Sequence, residues 1–503
     1  MRECGVLLPV SSLPSKYGIG GFSKEAYEFV DKLHEAGQSW WQILPLGPTG
    51  YGDSPYQSFS SFAINPYFID PDGLKEEGLL TERECKAAAK GWDARRVDYG
   101  KLYQERFELL RKAYKRFQKK AQPDWQFMIR PTTQEYCFYM ALKNHFGGKS
   151  WRLWEDEIQS RNPMVMMEYE KLLEDDICFY KFLQIKAEEQ WEKLKLYANM
   201  KGIKIIGDIP IYVAMDSADA WAYPELFQFD DFLIPQGVAG CPPDAFSATG
   251  QLWGNPLYNW KYHKKTMYAW WLDRVSYCMG LYDLVRIDHF RGFDSYYSIP
   301  FGDPTAKYGH WEKGPGMDLF RALEEHFHGE LPIIAEDLGM LTPSVHELLE
   351  KTGFPGMKVL EFAFTAGEQS TYLPSYYPEN CVVYTGTHDN DTVNGWYRQL
   401  NIEDREFARE YAGIECETDE NVHWAFIRLA LMSKAKLAII PMQDYLGLGS
   451  EARINQPATL GNNWTWRMLP DEFDGELARK CRRMAQIYGR FPVDSEENDK
   501  ISS

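Results

Sequence analysis

No apolar stretch in this sequence approaches the ~20 residues that a bilayer-spanning helix needs. The N-terminal run MRECGVLLPVSSLPSKYG has too short an apolar core for a secretory signal. Paired cysteines are missing as well. The nine cysteines, at 4, 85, 137, 178, 241, 278, 381, 416 and 481, are odd in number and scattered, with no CxxC pair. They exclude a disulfide framework or a zinc knuckle and fit free thiols in a reducing compartment. A basic surplus is lacking too: 55 Lys and Arg against 73 Asp and Glu leave a net charge of −18. That argues against nucleic acid and anionic membrane surfaces as partners. No repeat of fixed period is present. The expectation is a globular, cytoplasmic protein.

Aromatic residues, by contrast, are abundant, with 17 Trp and 31 Tyr. Core packing accounts for most of them, and an exposed surplus would suit stacking on flat apolar ligand faces such as sugar rings. At 503 residues the chain exceeds one ordinary compact domain, yet barrels with insertions run this long as one catalytic unit.

The chain starts as strand, helix, strand. Residues 5–10 (GVLLPV) form a short apolar run, and Ser23 can cap a helix whose Ala26, Phe29, Val30 and Leu33 follow the i, i+3, i+4, i+7 pattern before Gly37. Residues 40–46 (WWQILPL) are strand-like again. Residues 73–180 read as a mainly helical insertion after this second strand, with Trp125, Phe127, Tyr136, Phe138 and Trp151 enough for a small core of its own. A helix with Leu183, Ala187, Trp191, Leu194 and Ala198 on one face then leads to a strand at 203–213. A loop-rich insertion follows at 214–262, and long loops in compact proteins are usually functional. Further strands are expected near 282, 331, 357, 381 and 437, and residues 492–503 are a polar tail. Eight strands with helices between them predict an α/β fold, a (β/α)8 TIM barrel with helical and loop insertions, residues 1–503 forming one catalytic unit.

In such a barrel the active site lies at the C-terminal strand ends. The most telling end is LYDLVRIDHFRG, residues 281–292. Residues two apart on a strand face the same way, so Arg286 and Asp288 project together. A carboxylate beside a guanidinium is favoured as the anion, which suits a nucleophile, although that stretch alone equally fits a structural ion pair. Other strands end near Asp208, at Glu336 and Asp337, and at His388, Asp389, Asn390 and Asp391. Two carboxylates suffice for glycoside chemistry. Asp288 is the nucleophile candidate and Glu336 the acid, provided burial and neighbouring carboxylates raise its pKa. Asp337, its neighbour, must point elsewhere. Asp389, with His289 and His388, is left to hold sugar hydroxyls and stabilise positive charge. A competing reading takes His289, His388, Asp389 and Asp391 as transition-metal ligands of a phosphohydrolase. Against it stand the aromatic loops and the absence of a basic phosphate cradle.

The motifs GDIPIYV (207–213), VRIDHFRG (285–292), AEDLG (335–339) and THDND (387–391) resemble the four ordered motifs of the α-amylase clan. The longer blocks SPYQSFSSFAINPYFID, GCPPDAFSATGQLWGNPLYNW and GNNWTWR resemble 4-α-glucanotransferases of the amylomaltase or disproportionating-enzyme type, over nearly the whole chain. The resemblance implies Asp288 as nucleophile, Glu336 as general acid/base and Asp389 as transition-state stabiliser, with Arg286 and His388 beside them. It implies that Ser54, Tyr56, Asp208, Gln251, Trp253 and Asn463 line glucan subsites. In the 242–253 loop Ala245 stands where the family has an aromatic, so stacking there falls to Phe246. Tyr51 belongs either to a secondary glucan groove or to a ligand-free loop. The resemblance implies no metal and no cofactor, with α-1,4-glucans and maltooligosaccharides as donor and acceptor. A monomer or homodimer, cytoplasmic or a plastid form without its transit peptide, is expected. Hydrolysis and a silent glucan-binding scaffold are the alternatives. All three essential carboxylates are present, and only the resemblance ranks transfer first.

Overall fold

The structure is a computed structural model of the chain. It describes residues 2–50, 52–120, 125, 129–243, 247–329, 331–339, 341–365, 367, 370–459 and 461–491. Tyr51, Phe127, Ala245, Phe246 and the tail at 492–503 therefore lie outside the described residues.

All eight predicted strands are present. They are Glu3–Leu7, Trp40–Gln42, Lys204–Ile209, Leu284–Ile287, Ile333–Ala335, Gly356–Val359, Cys381–Tyr384 and Leu437–Pro441, called the first to eighth barrel strands below. They pair in parallel in the order sixth, seventh, eighth, first, second, third, fourth, fifth. At the remaining seam the Ala335 amide donates to the Pro355 carbonyl at 3.0 Å, joining the fifth strand to the entry of the sixth. This is a (β/α)8 barrel.

Strand alternation divides its residues into two layers. Leu7, Ile206, Ile334, Met357, Val382 and Ile439 pack together inside the barrel. Val6, Ile205, Val285, Ile333, Val383 and Ile440 pack outward into the much larger cluster shared with the helices. Continuing the inner set by two residues gives Asp208 after Ile206, Arg286 after Leu284 and Glu336 after Ile334. The same alternation that fills the core thus delivers polar groups to the barrel mouth.

Helix Lys24–Glu35 buries Ala26, Phe29, Val30 and Leu33 as the spacing predicts. Between the second and third strands lie the helices Pro71–Glu76, Glu82–Ala88, Tyr99–Phe117, Pro131–His145 and Pro163–Leu172, followed by the 27-residue helix Glu174–Met200. That last helix joins the insertion to the barrel. Phe182 packs on Phe117, with ring centroids 4.9 Å apart, while Trp191 donates its indole N–H to the Leu281 carbonyl at 3.1 Å. Tyr136, Phe138 and Trp151 belong to the same buried cluster as the barrel's outer layer. The separate small core expected for the insertion is therefore continuous with the main one.

The segment after the third strand is less irregular than its sequence suggests. Gly237–Cys241 and Gln251–Pro256 pair antiparallel, and Gly237–Cys241 pairs in turn with Ser295–Pro300, which pairs with His310–Lys313. A four-stranded sheet results. Its ladder shifts register between Val238 and Gly240, and Gly254 takes a φ of +77° inside Gln251–Pro256. These glycines give the local sequence a turn-like composition. Among the described residues no helix is long and apolar enough to cross a membrane.

Candidate active site

At the mouth, Arg286 ties two strands' carboxylates together. One guanidinium nitrogen donates to Asp208 Oδ2 at 2.6 Å and the other to Asp288 Oδ1 at 2.8 Å, while Nε faces Met357 Sδ at 3.4 Å. The Arg286 and Asp208 side chains are 4% and 0% exposed, whereas Asp288 is 30% exposed and open to the mouth. Burial opposes charge on Arg286, but Asp208 and Asp288 outweigh it and hold its pKa well above the usual arginine range. Burial pushes the Asp208 carboxyl up to about 6, with Arg286 opposing the rise. Tyr56 adds a hydrogen bond from Oη to Asp208 Oδ2 at 2.8 Å.

The residues after the fourth strand turn sharply. His289 is left-handed at φ 53°, and that conformation, uncommon outside glycine, aims its amide at Glu336 Oε2, 2.7 Å away. The Leu338 amide donates to Glu336 Oε1 at 2.8 Å. The acid candidate is thus fixed by two peptide N–H groups, one of them adjoining Asp288. Burial raises the Glu336 carboxyl to about 7 and the charge of Asp288 adds to this, while Arg286 and both amides oppose it. Asp337 points elsewhere, as strand alternation requires, and accepts the Met357 amide at 2.6 Å.

On the opposite wall, Asp389 accepts from Asn455 Nδ2 at 2.6 Å, and its backbone carbonyl accepts from Arg453 at 2.6 Å. His388 Nε2 lies 3.4 Å from Asp389 Oδ2. Burial would raise the Asp389 pKa, but His388 and Asn455 outweigh it and hold the carboxyl down to about 2. The His388 ring stacks on Tyr56, with centroids 5.0 Å apart and planes at 13°. Trp464 closes this aromatic group at 5.8 Å from Tyr56 and 6.0 Å from His388.

Trp253 stands edge-on to His289 at 4.8 Å and donates its indole N–H to Gln251 Oε1 at 3.1 Å. Burial lowers His289 to about 4, leaving a neutral ring there. Ser54 accepts the Tyr56 amide at 3.2 Å and shapes the loop that carries that ring. The structure therefore brings Tyr56, Asp208, Arg286, Asp288, Glu336, His388 and Asp389 to one mouth, with Gln251 and Trp253 beside His289. The Asn463 amide bonds within its own loop, to Gln456 and Thr459. Asn455, Arg453 and Trp464 were not singled out from the sequence, although Trp464 lies in the GNNWTWR block.

Of the four side chains of the metal reading, three are held by other partners or by each other, while the buried His289 Nε2 has no hydrogen-bond partner. Asp391 accepts from Thr392, Gln399 and Ser450, and His388 is paired with Asp389. Among the described residues no group of three or more His, Cys, Asp or Glu is arranged to hold a metal ion.

A parallel eight-stranded barrel with buried, charge-coupled carboxylates at its C-terminal mouth defines an enzyme of the (β/α)8 class. Residues 8–471 match the family model described as 4-alpha-glucanotransferase, and the chain belongs to that family, whose members are transferases of glycosyl groups. It is 49% identical to the 4-alpha-glucanotransferase of Clostridium butyricum over 486 residues, covering 96% of this chain and 99% of that one. It is 46% identical to that of Thermus thermophilus, covering 97% and 99%. Among solved structures it is similar to amylomaltase from Streptococcus agalactiae in complex with acarbose, with a TM-score of 0.95, 40% identity, and 98% and 100% of the two chains covered.

Proposed function

We propose that this enzyme moves α-1,4-glucan segments from a donor to the 4-hydroxyl of an acceptor glucan or glucose by double displacement with retention. The observation that carries the reading is the pairing of Asp288, clamped by buried Arg286, with Glu336, whose proton is retained to about pH 7. In the first step an Asp288 oxygen bonds to the anomeric carbon and the glycosidic C–O bond breaks. Glu336 gives its proton to the departing 4-oxygen. In the second step Glu336 takes the proton from the acceptor's 4-hydroxyl, whose oxygen bonds to the anomeric carbon as Asp288 leaves. Asp389, held anionic, faces the positive charge that develops on the sugar ring, and Tyr56 offers an aromatic face to it. The acarbose carried by the streptococcal relative, a pseudo-oligosaccharide, supports a glucan-shaped ligand.

Water and a sugar hydroxyl compete for the second step, and the acceptor side decides between them. Trp253 and Gln251 supply that side. Incubation with maltotriose tests the reading. Glucose plus a ladder of longer maltooligosaccharides supports transfer, whereas a steady rise in reducing ends without a ladder replaces it with hydrolysis. Asp288→Asn is expected to abolish turnover and keep oligosaccharide binding measurable; full activity in that variant would overturn the nucleophile assignment.

A further inference from the structure

Below the seventh-strand loop that carries Asp389 sits a carboxyl group with no place in the chemistry above. Glu361 belongs to the turn Leu360–Phe362 after the sixth strand and is 4% exposed. Its Oε1 has no hydrogen-bond partner and presses on Gly386, where an added Cβ would come within 2.7 Å. Its neighbours are two further carboxylates, Asp444 and Asp391, together with Arg453 and the side chain of Asn390. Asp444 is itself locked in the wall, accepting from Thr385 Oγ1 at 2.5 Å and from the Val393 amide at 2.8 Å.

Both polar neighbours of Glu361 hold Asp389. Asn390 Oδ1 takes hydrogen bonds from the Thr387 amide at 2.9 Å and the Thr387 hydroxyl at 2.8 Å. The same hydroxyl oxygen accepts the Asp389 amide at 3.3 Å. With its oxygen doubly used, the Asn390 side chain has its NH2 group left for Glu361. Arg453 donates to the Asp389 carbonyl at 2.6 Å and, through Nε, to the carbonyl of Asn455 at 2.7 Å, the residue whose side chain grips the Asp389 carboxylate.

We propose that Glu361 is a positioning residue for the catalytic centre, holding the loop from Thr385 to Asp391 from beneath through Asn390 and Arg453 and so fixing Asp389. This rests on the reading of Asp389 as the stabiliser of the transition state. Burial keeps the Glu361 proton in place well above the usual carboxylate range, Asp444 and Asp391 add to this, and Arg453 opposes it. The neutral carboxyl lets Arg453 and Asn390 serve the Asp389 loop. Ionisation at alkaline pH draws both toward the new anion, against the repulsion of Asp444 and Asp391, and loosens Asp389.

The test is the alkaline limb of log kcat/KM against pH. Loss of the Glu336 proton alone gives a limiting slope of about −1, and a second proton on Glu361 steepens it to about −2. Glu361→Gln keeps the shape and a donor without the titration, so its limb is expected to relax to about −1, with kcat at neutral pH within about threefold of the parent. Glu361→Leu removes the polar contact and is expected to lower kcat on the order of ten- to a hundredfold with little change in KM, in protein whose circular dichroism matches the parent. Equal limiting slopes in the parent and Glu361→Gln, or parental kcat in folded Glu361→Leu, overturn the inference. Asp389→Asn is measured in parallel. Full activity there overturns the reading of Asp389 and this inference together, whereas lost activity there with unchanged Glu361 slopes overturns this inference alone.

Discussion

Replacing Arg286 with leucine leaves two carboxylates without their shared cation, and the size of the effect depends on pH in a way the structure fixes. Asp208 is fully buried and keeps only the Tyr56 hydroxyl at Oδ2. Breaking a buried ion pair from one side costs about 3–5 kcal/mol when the remaining charge persists. Here Asp208 can shed its charge, because its folded pKa is already raised from 3.8 to about 6. A raised carboxyl binds its proton more tightly in the folded than in the unfolded chain. Its stability contribution is therefore greatest below the unfolded pKa and is lost as pH rises toward the folded one. In the parent that loss amounts to roughly 3 kcal/mol, about two pKa units at about 1.4 kcal/mol each. Without Arg286 the folded pKa climbs further and the loss continues to higher pH. The variant's stability deficit is expected to be about 3–5 kcal/mol at pH 8 and below about 2 kcal/mol at pH 5. Guanidinium unfolding at the two pH values measures it. A deficit that is equal at both, or larger at pH 5, refutes the assignment of Asp208 as the burdened carboxyl. Activity is expected to fall by at least about a thousandfold, since Asp288 also loses its partner.

Asn455→Ala removes the 2.6 Å hydrogen bond to Asp389. Hydrogen bonds to charged groups are worth about 1.5–3 kcal/mol, so kcat is expected to drop roughly ten- to a hundredfold in a protein whose melting temperature barely moves. Gly207→Ala places a Cβ 2.1 Å from the Tyr282 ring beside Asp208, and overpacking of this kind lowers stability by about 1–3 kcal/mol, read by thermal unfolding. On the proposed acceptor-side role of Trp253, Trp253→Ala is expected to raise the ratio of reducing ends to transfer products from maltotriose; an unchanged ratio removes Trp253 from water exclusion. Cys416 is exposed whereas Cys4, Cys85, Cys137, Cys278, Cys381 and Cys481 are buried, so a thiol reagent under native conditions is expected to label Cys416 first and leave activity intact, which peptide mapping checks.

The barrel was legible because the strands are short, largely apolar runs bounded by breaks, several of them such as KIIGDI, LVRI, IIA and CVVY rich in β-branched residues, and because several runs end in carboxylates that solvent exposure alone does not explain. Arg286 and Asp288 were readable for the same reason, two residues apart on one strand. The antiparallel sheet beside the mouth was hidden. Its strands GVAGC and QLWGNP carry glycine and proline at positions that only a bulge and a positive φ make compatible with a ladder. The grip on Asp389 was hidden differently. Asn455 and Arg453 lie more than sixty residues from it, and nothing in RINQP marks a hydrogen bond that exists only after the chain closes the eighth strand. Glu361 illustrates a further limit. In MKVLEFAF alternation sets it on the face of Met357 and Val359, pointing to the barrel mouth, but a tight turn at Leu360–Phe362 places it instead beside Asp444 and Asp391.

The sheet beside the mouth takes two strands from the segment following the third barrel strand and two from the segment following the fourth. Its central ladder, Gly237 with Pro300 through Gly240 with Tyr297, stitches those segments together, and Gln251 and Trp253 ride on its edge strand. On the proposed acceptor-side role of Gln251 and Trp253, acceptor preference belongs to a two-segment cassette and not to either loop by itself. A chimera that imports residues 237–256 from a relative without 295–313 sets side chains from two proteins against each other across this ladder, whereas moving both keeps the matched cross-strand pairs. On that reading, specificity passes between relatives as the whole sheet, a unit larger than either loop.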